Sequence, residues 1–378
     1  MIDMILTTLQ TVAGYLVPFL TLTIVIVFIH EMGHFLTARY FGVTVEAFSI
    51  GFGSELVHWH DRYNTRWRIA LIPLGGYVKF VGDADASSKP DPDMVVDSGA
   101  VTLNSRPLSE RAWIVAAGPL ANFLLTIFLL AGTAYVVGTS HLVPRIETVL
   151  PDQPADKAGM KPGDVIISLE NKSVMDFAEV QAIITSSAGR SLTMVVDRGG
   201  REIELVVTPS SVQRPGLLSA FPTGRIGITV LPKAENFNKV EYGPIEAIGY
   251  GIKQTYAMAI ANIQGIGTLL VGSGSINDVA GPVTIAEISK KTADAGISSF
   301  VMWVAGISLA IGVVNLLPIP ILDGGHLLFY AIEGLLKRPL QPATVSFCYR
   351  IGMFVVLCLM GLGLFSDGLR WGRILNIF

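Results

Sequence analysis

The chain has 378 residues and a formal net charge of -3, and 51% of its residues are hydrophobic while only 15% are charged. Because soluble domains carry about 25% charged residues, a large part of this chain must lie outside water. The composition also excludes a disordered chain and a coiled coil, and without a basic stripe it argues against a nucleic-acid partner. The sequence therefore predicts an integral membrane protein.

Residues 1–40 are predicted to form the first transmembrane helix. Residues 4–29 contain no charged side chain, so this segment exceeds the roughly 20 residues that a spanning helix needs. The predicted helix then continues through the sequence HEMGH at residues 30–34.

The HEMGH sequence has the spacing of a metal site. His30 and His34 stand at positions i and i+4, so on a helix both imidazoles project from one face and can reach one zinc ion at about 2.0–2.1 Å. Glu31 lies beside them, where its carboxylate can take a proton from water that zinc activates. Helical histidines are often ordinary core residues, but ionisable side chains within a membrane span are costly and usually functional.

Residues 41–111 are predicted to form a loop, and residues 112–140 the second transmembrane helix. Basic residues concentrate between the first two spans, at Arg39, Arg62, Arg66, Arg68, Lys79, Lys89, Arg106 and Arg111. Since loops rich in Lys and Arg stay on the cytoplasmic side, the pattern predicts a cytoplasmic loop and an N-terminus on the other side of the membrane.

Residues 141–233 have the pattern of a small soluble α/β domain. Apolar and polar residues alternate over residues 164–170, 191–197 and 202–208, which predicts three strands. Residues 177–189 predict a helix that stops at a glycine.

The third transmembrane segment is predicted over residues 295–325, after amphipathic or interfacial helices over residues 234–294. It is uncharged as far as Asp323. Pro318 and Pro320 cannot sustain helical hydrogen bonding, and non-helical backbone at membrane depth is tolerated where it lines a polar cavity. A catalytic zinc ion needs a third protein ligand and one open position, and Asp323 is the natural candidate.

The fourth transmembrane helix is predicted over residues 343–368. Lys337 and Arg338 lie in the short link before it, which is therefore predicted to be cytoplasmic. The domain at residues 141–233 then faces the periplasm or exterior. This orientation places Asp323 on the same, cytoplasmic, side as the two histidines, which favours a shared metal ion.

Two motifs resemble those of the site-2 proteases, in the bacterial branch of the regulator-of-sigma-E protease. They are HEMGH at residues 30–34 and NLLPIPILDG at residues 315–324. The resemblance runs nearly end to end and includes GFG at 51–53, IPLGGYVKF at 72–80 and AAGPLANF at 116–123. It implies a multi-span α-helical membrane protein of about four transmembrane helices, with a membrane-associated β-hairpin and an inserted α/β PDZ domain.

The resemblance also implies the roles of individual residues. His30, His34 and Asp323 would be the ligands of Zn²⁺, and Glu31 would be the catalytic acid and base. Asn315 would help to hold the substrate or the developing oxyanion.

Within residues 66–80 the resemblance implies a membrane-reentrant hairpin beside the zinc ion. Gly75, Gly76 and Tyr77 would bind an extended substrate at its edge, because a helical peptide bond is shielded from attack. The alternative is an ordinary cytoplasmic hairpin.

The sequence PADKAGMKPGDVI at residues 154–166 resembles the core of a PDZ domain in the permuted bacterial arrangement. Arg225, Ile226, Gly227 and Ile228 would supply the edge strand and carboxylate loop that bind peptide C-termini. The alternative is a packed module that excludes large ectodomains by size. The best-known enterobacterial relatives carry two tandem PDZ domains, and only one fits here.

The function implied is that of an intramembrane zinc endopeptidase in the bacterial inner membrane. Its substrates would be single-pass membrane proteins such as anti-sigma factors or remnant signal peptides, cut within the lipid bilayer in regulated intramembrane proteolysis. A zinc transporter would need ligands distributed through the membrane, and a scaffold presenting a PDZ domain would not need both motifs intact. His58 and His60 are interpreted as plain loop or strand residues, and His326 is not assigned a ligand role.

Overall fold

The computed structural model describes residues 2–82, 99–212, 223–270 and 280–374. Parts of three predicted segments, the cytoplasmic loop, the α/β domain and the interfacial helices, lie outside these ranges. Contacts divide the chain into two compact units. The membrane unit comprises Met1–Gly132, Ala247–Ile263 and Ile276–Phe378, and the second unit comprises Thr133–Glu246 and Gln264–Ser275.

Four helices of the described residues are long and apolar enough to cross a membrane, as the sequence predicts. The spans are Gln10–Tyr40, Leu108–Val136, Ile297–Asn315 and Pro342–Arg370. They lie in helices α1 (Ile2–Tyr40), α2 (Leu108–Val136), α7 (Ile297–Asn315) and α9 (Pro342–Ile374). The protein is therefore a multi-pass membrane protein.

A long antiparallel hairpin follows α1. Its strands are β1 (Val45–His60) and β2 (Arg66–Phe80). The fully buried Phe48 ring stacks on Trp67, with 4.5 Å between ring centroids, and meets the edge of Phe35 of α1 at 5.5 Å. This aromatic cluster fixes the hairpin against the C-terminal half of α1.

The turn of the hairpin is held by the carboxylate of Asp61. Trp67 Nε1 donates to it at 3.1 Å, the backbone N–H groups of Tyr63 and Thr65 donate at 2.9 and 3.1 Å, and the guanidinium of Arg39 pairs with it. Burial alone would raise the pKa of Asp61, but these donors outweigh burial and lower the pKa below its usual value. The turn thus stays tied to the end of α1.

The third span ends in a break. Residues 316–322, which contain Pro318 and Pro320, are not helical, and α8 (Asp323–Leu336) begins at Asp323 itself. The structure therefore confirms the unwinding that the two prolines predict. On α8, the Glu333 carboxylate pairs with Arg111 of α2 at 3.3 Å.

The predicted interfacial region contains α5 (Pro244–Leu270) and α6 (Pro282–Asp294). One face of α5 is an exposed apolar stripe formed by Ile245, Ile248, Ile252, Tyr256 and Ile263. Such a one-sided apolar face is typical of a helix that contacts lipid. Its position relative to the membrane surface stays a prediction.

Asp367 of α9 caps the start of α6. Its carboxylate is buried and accepts hydrogen bonds from the backbone N–H groups of Gly281 and Val283, at 3.2 and 2.9 Å, and from the Thr284 hydroxyl at 2.5 Å. Helix N-termini leave such N–H groups unpaired, so an acceptor supplied by another helix satisfies them. This contact fixes α6 to the last span.

The second unit contains a four-stranded antiparallel sheet in the order β6-β5-β7-β8. Its strands are β5 (Val165–Leu169), β6 (Lys172–Ser173), β7 (Leu192–Asp197) and β8 (Glu202–Val207), and α4 (Phe177–Thr185) packs on their core. Three of these strands and α4 lie where the sequence predicts them. Asp176 begins α4 by accepting from the backbone N–H of Ala178 at 2.9 Å.

Short strand pairs complete the second unit. They are β3 (Thr139–Leu142) with β12 (Phe237–Val240), β4 (Thr148–Val149) with β11 (Ile228–Thr229), and β9 (Ser210–Val212) with β10 (Thr223–Arg225). A one-turn helix, α3 (Pro154–Lys157), follows β4. The predicted edge strand is thus divided, because Arg225 ends β10, Gly227 turns the chain with φ +80°, and Ile228 begins β11.

One buried ion pair ties two turns of the second unit together. The Asp164 side chain is fully buried and accepts from Arg198 Nε at 2.7 Å, from Arg198 Nη2 at 2.8 Å and from the backbone N–H of Lys161 at 2.9 Å. Burial raises the pKa of Asp164, but the guanidinium and the N–H outweigh burial and lower it.

We expect Asp164→Asn to destabilise the second unit by about 2 kcal/mol, because a charged acceptor of three hydrogen bonds is lost. Since the folded-state pKa is depressed, the stabilisation is present above the unfolded pKa of about 3.9 and is lost as the pH falls through the lower, folded value. Hydrogen exchange of the β5 and β7 amides in the full-length protein, measured against pH, tests this. The exposed Glu202→Gln is the control, and equal exchange in the two variants would contradict the prediction.

Candidate metal site

Helix α1 and the start of α8 bring three metal-ligating side chains together. The Nε2 atoms of His30 and His34 lie 3.2 Å apart. Asp323 Oδ2 lies 3.2 Å from His30 Nε2, and Asp323 Oδ1 lies 3.5 Å from His34 Nε2. One ligand atom from each residue falls within 4.8 Å of the others, so the group could hold one metal ion.

The hydrogen bonds of the cluster support a cation at this point. His34 Nδ1 faces the carbonyl oxygen of Ile114 at 2.9 Å, and a carbonyl can only accept, so Nδ1 carries a proton. In the neutral imidazole, Nε2 then presents a lone pair toward the carboxylate of Asp323. Asp323 Oδ2 is buried, and although His30 Nε2 lies 3.2 Å away, that contact lacks hydrogen-bond geometry, so no described residue donates to this oxygen. A metal ion would satisfy these converging electron pairs together.

Glu31 stands next to the cluster and touches the hairpin. A Cβ atom on Gly76 would lie 3.3 Å from Glu31 Cγ and 2.7 Å from the carbonyl oxygen of Ser49. Only glycine therefore lets β2 approach α1 this closely.

A cavity of about 570 Å³ opens on the cluster. Its wall includes the predicted metal ligands, the predicted acid and base, and the predicted substrate-binding residues of the membrane unit, namely His30, His34, Asp323, Glu31, Asn315, Gly75, Gly76 and Tyr77. The three ligands and Glu31 thus share one chamber with the hairpin and with the end of α7. That chamber is where a reacting group could sit.

The remaining predicted residues lie elsewhere. Arg225, Ile226, Gly227 and Ile228 belong to the second unit, where Ile226 is part of the buried core. The two histidines at positions 58 and 60 are exposed on β1, outside the metal-ligating group found among the described residues, in agreement with their interpretation as plain strand residues.

His326 is buried and lines the cavity, and its Nε2 lies 3.2 Å from the hydroxyl of Tyr349 on α9. It is not among the three ligand residues of the cluster. Sequence reasoning also gave no role to Asn122 of α2, whose carboxamide contacts the ring of His30. The sequence signals for Asn122 were its amide side chain within an apolar span and its place in the AAGPLANF stretch at residues 116–123.

Helices α1 and α2 meet closely beneath the histidines. A Cβ atom on Gly118 of α2 would collide with the imidazole of His34. Interiors tolerate such overpacking poorly, and the imidazole would have to move away from Asp323.

We expect Gly118→Ala to weaken metal binding about 5–150-fold, because overpacking costs about 1–3 kcal/mol and shifts one ligand. The purified variant and the wild type can be compared by competition against a chromophoric chelator. Gly132→Ala is the matched control on the same helix, since no described atom lies within 4 Å of its added methyl group. Equal affinities in Gly118→Ala and Gly132→Ala would contradict the prediction.

The chain was compared with known proteins. The family model described as peptidase family M50 matches residues 18–359. A relative from Agrobacterium fabrum, named as a putative zinc metalloprotease, is 39% identical over 359 residues, which covers 94% of this chain and 95% of the relative. The metalloprotease MmpA of Caulobacter vibrioides is 34% identical over 379 residues, which covers 93% of this chain and 94% of MmpA.

Among solved structures, the PDZ domain of an SdrC-like protein from Listeria monocytogenes matches 25% of this chain and 94% of its own length, at 19% identity and a TM-score of 0.21. The family match and the full-length relatives confirm the resemblance to site-2 proteases that the two motifs indicate. The chain belongs to peptidase family M50.

Proposed function

We propose that this protein is a zinc endopeptidase that cuts single-pass membrane proteins within the lipid bilayer. One observation carries the proposal: His30, His34 and Asp323, all from the membrane unit, converge beside Glu31 in a single chamber. The relatives named as zinc metalloproteases support zinc as the metal.

His30, His34 and Asp323 would hold the zinc ion through two imidazole nitrogens and one carboxylate. This donor set is close to the two histidines and one glutamate of known catalytic zinc sites, and it leaves a fourth position open. When bound, zinc polarises a carbonyl group and activates water for attack on a peptide bond. The unmatched lone pairs of the cluster are the structural reason to expect a cation there.

Glu31 would accept the proton of the attacking water and return it to the leaving amine. Its side chain lines the chamber beside the metal-ligating group.

The substrate would enter as an extended segment. A transmembrane helix uses its own backbone hydrogen bonds, so it must unwind locally before a peptide bond is accessible. Gly75, Gly76 and Tyr77 line the chamber on β2, and a strand edge can bind an extended peptide through backbone hydrogen bonds. Asn315, at the end of α7, would hold the substrate or stabilise the developing oxyanion with its amide N–H.

The protein would lie in the bacterial inner membrane with its active site near the cytoplasmic side. Basic residues of the hairpin loop and of the link between α8 and α9 support this orientation. The N-terminus and the second unit would then be periplasmic, and the exposed stripe of α5 would contact lipid.

The second unit would act as a PDZ domain. It would either bind peptide C-termini at the segment that contains Arg225, Ile226, Gly227 and Ile228, or exclude substrates with large ectodomains by size. With either action, the substrate would be cut within the membrane only after another protease has shortened its ectodomain. This order is that of regulated intramembrane proteolysis of anti-sigma factors or remnant signal peptides.

Glu31→Gln is expected to lower the cleavage rate about 10²–10⁴-fold, because general acid–base catalysis is lost while the metal ligands remain. The assay is cleavage of a single-pass reporter by purified protein in lipid vesicles, and zinc content is measured on the same samples. Glu235→Gln, at an exposed site of the second unit, is the control and should cleave normally.

His30→Ala and Asp323→Asn should lose both zinc and activity, and a chelator should inactivate the wild type. A Glu31→Gln protein that cuts the reporter at the wild-type rate refutes the catalytic role. Wild-type protein that binds a reporter helix but never cuts it, with or without chelator, would instead favour the alternative function of a membrane scaffold that presents a PDZ domain.

Deleting residues 144–232 tests the second unit. If it excludes ectodomains, the deletion should allow cleavage of a reporter that keeps an intact folded ectodomain, and cleavage of a trimmed reporter should be unchanged. If it binds peptide C-termini, the deletion should slow cleavage of the trimmed reporter. Unchanged selectivity and unchanged rate would show that the unit has neither role.

A further inference from the structure

We infer that Asn122 is a positioning residue that fixes the ring of His30 for metal binding. This inference rests on the proposed function, since it concerns the affinity of the proposed zinc site. Asn122 lies on α2, is fully buried, and its carboxamide nitrogen is 3.2 Å from His30 Nδ1.

Each of the two histidines needs a hydrogen-bond acceptor next to its Nδ1 atom. An imidazole that binds a metal through Nε2 carries its proton on Nδ1, and metal-binding histidines almost always donate that proton to a neighbouring acceptor. His34 Nδ1 has the carbonyl oxygen of Ile114 at 2.9 Å. On the same α2 helix, Asn122 is the residue that faces the corresponding atom of His30.

The carboxamide can present either of its two polar atoms to His30. Its Oδ1 is buried and has no hydrogen-bond partner among the described residues, while Nδ2 faces His30 Nδ1. A half-turn about the last side-chain bond exchanges these atoms, so Oδ1 accepts from Nδ1–H. In each orientation one of the two amide atoms faces His30 and the other has no hydrogen-bond partner among the described residues. The half-turn therefore does not reduce the number of hydrogen bonds. Metal binding through His30 Nε2 therefore selects the orientation in which Oδ1 faces the ring.

The backbone at Asn122 is itself fixed to the neighbouring span. Its carbonyl oxygen accepts from the hydroxyl of Thr126 at 2.9 Å and from the hydroxyl of Ser308 on α7 at 3.1 Å. Thr126 also donates to the carbonyl oxygen of Ala305 at 3.1 Å. These contacts connect the support of His30 with the helix that leads to Asp323, and all of these side chains are buried.

The test compares substitutions that differ in their ability to accept a hydrogen bond. Asn122→Leu keeps a similar volume but offers no acceptor, whereas Asn122→Asp keeps two. Losing the partner of a metal-binding histidine costs about 10–100-fold in metal affinity. We therefore expect zinc affinity, measured by chelator competition on the full-length protein, to fall by this factor in Asn122→Leu and to stay within about threefold of the wild type in Asn122→Asp.

Thr126→Val is the matched control, since it removes the bond from Thr126 to Ala305 of α7 but leaves the Asn122 carboxamide in place and its carbonyl oxygen bonded to Ser308. It should keep wild-type zinc affinity. The absorption spectrum of the Co²⁺ form gives a second measurement, and it should change in Asn122→Leu alone.

The outcomes are distinguishable. If the wild type does not bind zinc, the proposed function fails. If the wild type binds zinc and Asn122→Leu binds it equally well, or if Asn122→Asp is as weak as Asn122→Leu, the positioning role is refuted. The positioning role is also refuted if Thr126→Val loses as much zinc affinity as Asn122→Leu, because the loss would then come from helix packing.

Discussion

The structure depends on the convergence of three electron-pair donors inside a membrane-embedded unit. Two imidazole nitrogens and a carboxylate oxygen lie close enough to share a single ion, in surroundings where unmatched polar groups are costly. Each neighbouring feature serves that convergence. Gly118 leaves room for one ring, Gly76 lets the hairpin reach the adjacent carboxylate, and the helix break delivers the third donor.

The helix break shows how the chain brings an acidic side chain to the two histidines of the first span. Pro318 and Pro320 end regular hydrogen bonding after α7, and Asp323 emerges as the first residue of the next helix. Ile321 and Leu322 of this break line the chamber that holds the cluster. The unwound segment is therefore a requirement of the site.

The sequence predicted the parts that depend on local pattern. Four apolar runs predicted four spans, and the i, i+4 spacing of His30 and His34 predicted two rings on one face. Alternation predicted β5, β7 and β8. Asp323 could be matched to the histidines because loop charge placed them on one side of the membrane. These inferences use periodicity and charge, which the sequence carries directly.

What sequence reasoning missed depends on contacts between distant segments. Asn122 and Asp367 are polar residues in apolar runs, and nothing local shows that one faces His30 and the other caps α6. The split of the expected edge strand into β10 and β11 arises from a turn at Gly227 that periodicity does not register. Such roles follow from contacts between segments that are distant in the sequence, and local sequence patterns do not reveal those contacts.

The separation of the donors along the chain has a consequence for biosynthesis. The first span supplies two of them, but the last comes from residue 323, after the second unit and two further helices have been made. A ribosome-bound chain that has inserted α1 and α2 has no complete cluster. The proposed active site is thus complete only when the C-terminal third has been translated and packed, so under the proposed mechanism the order of synthesis keeps the immature protein inert.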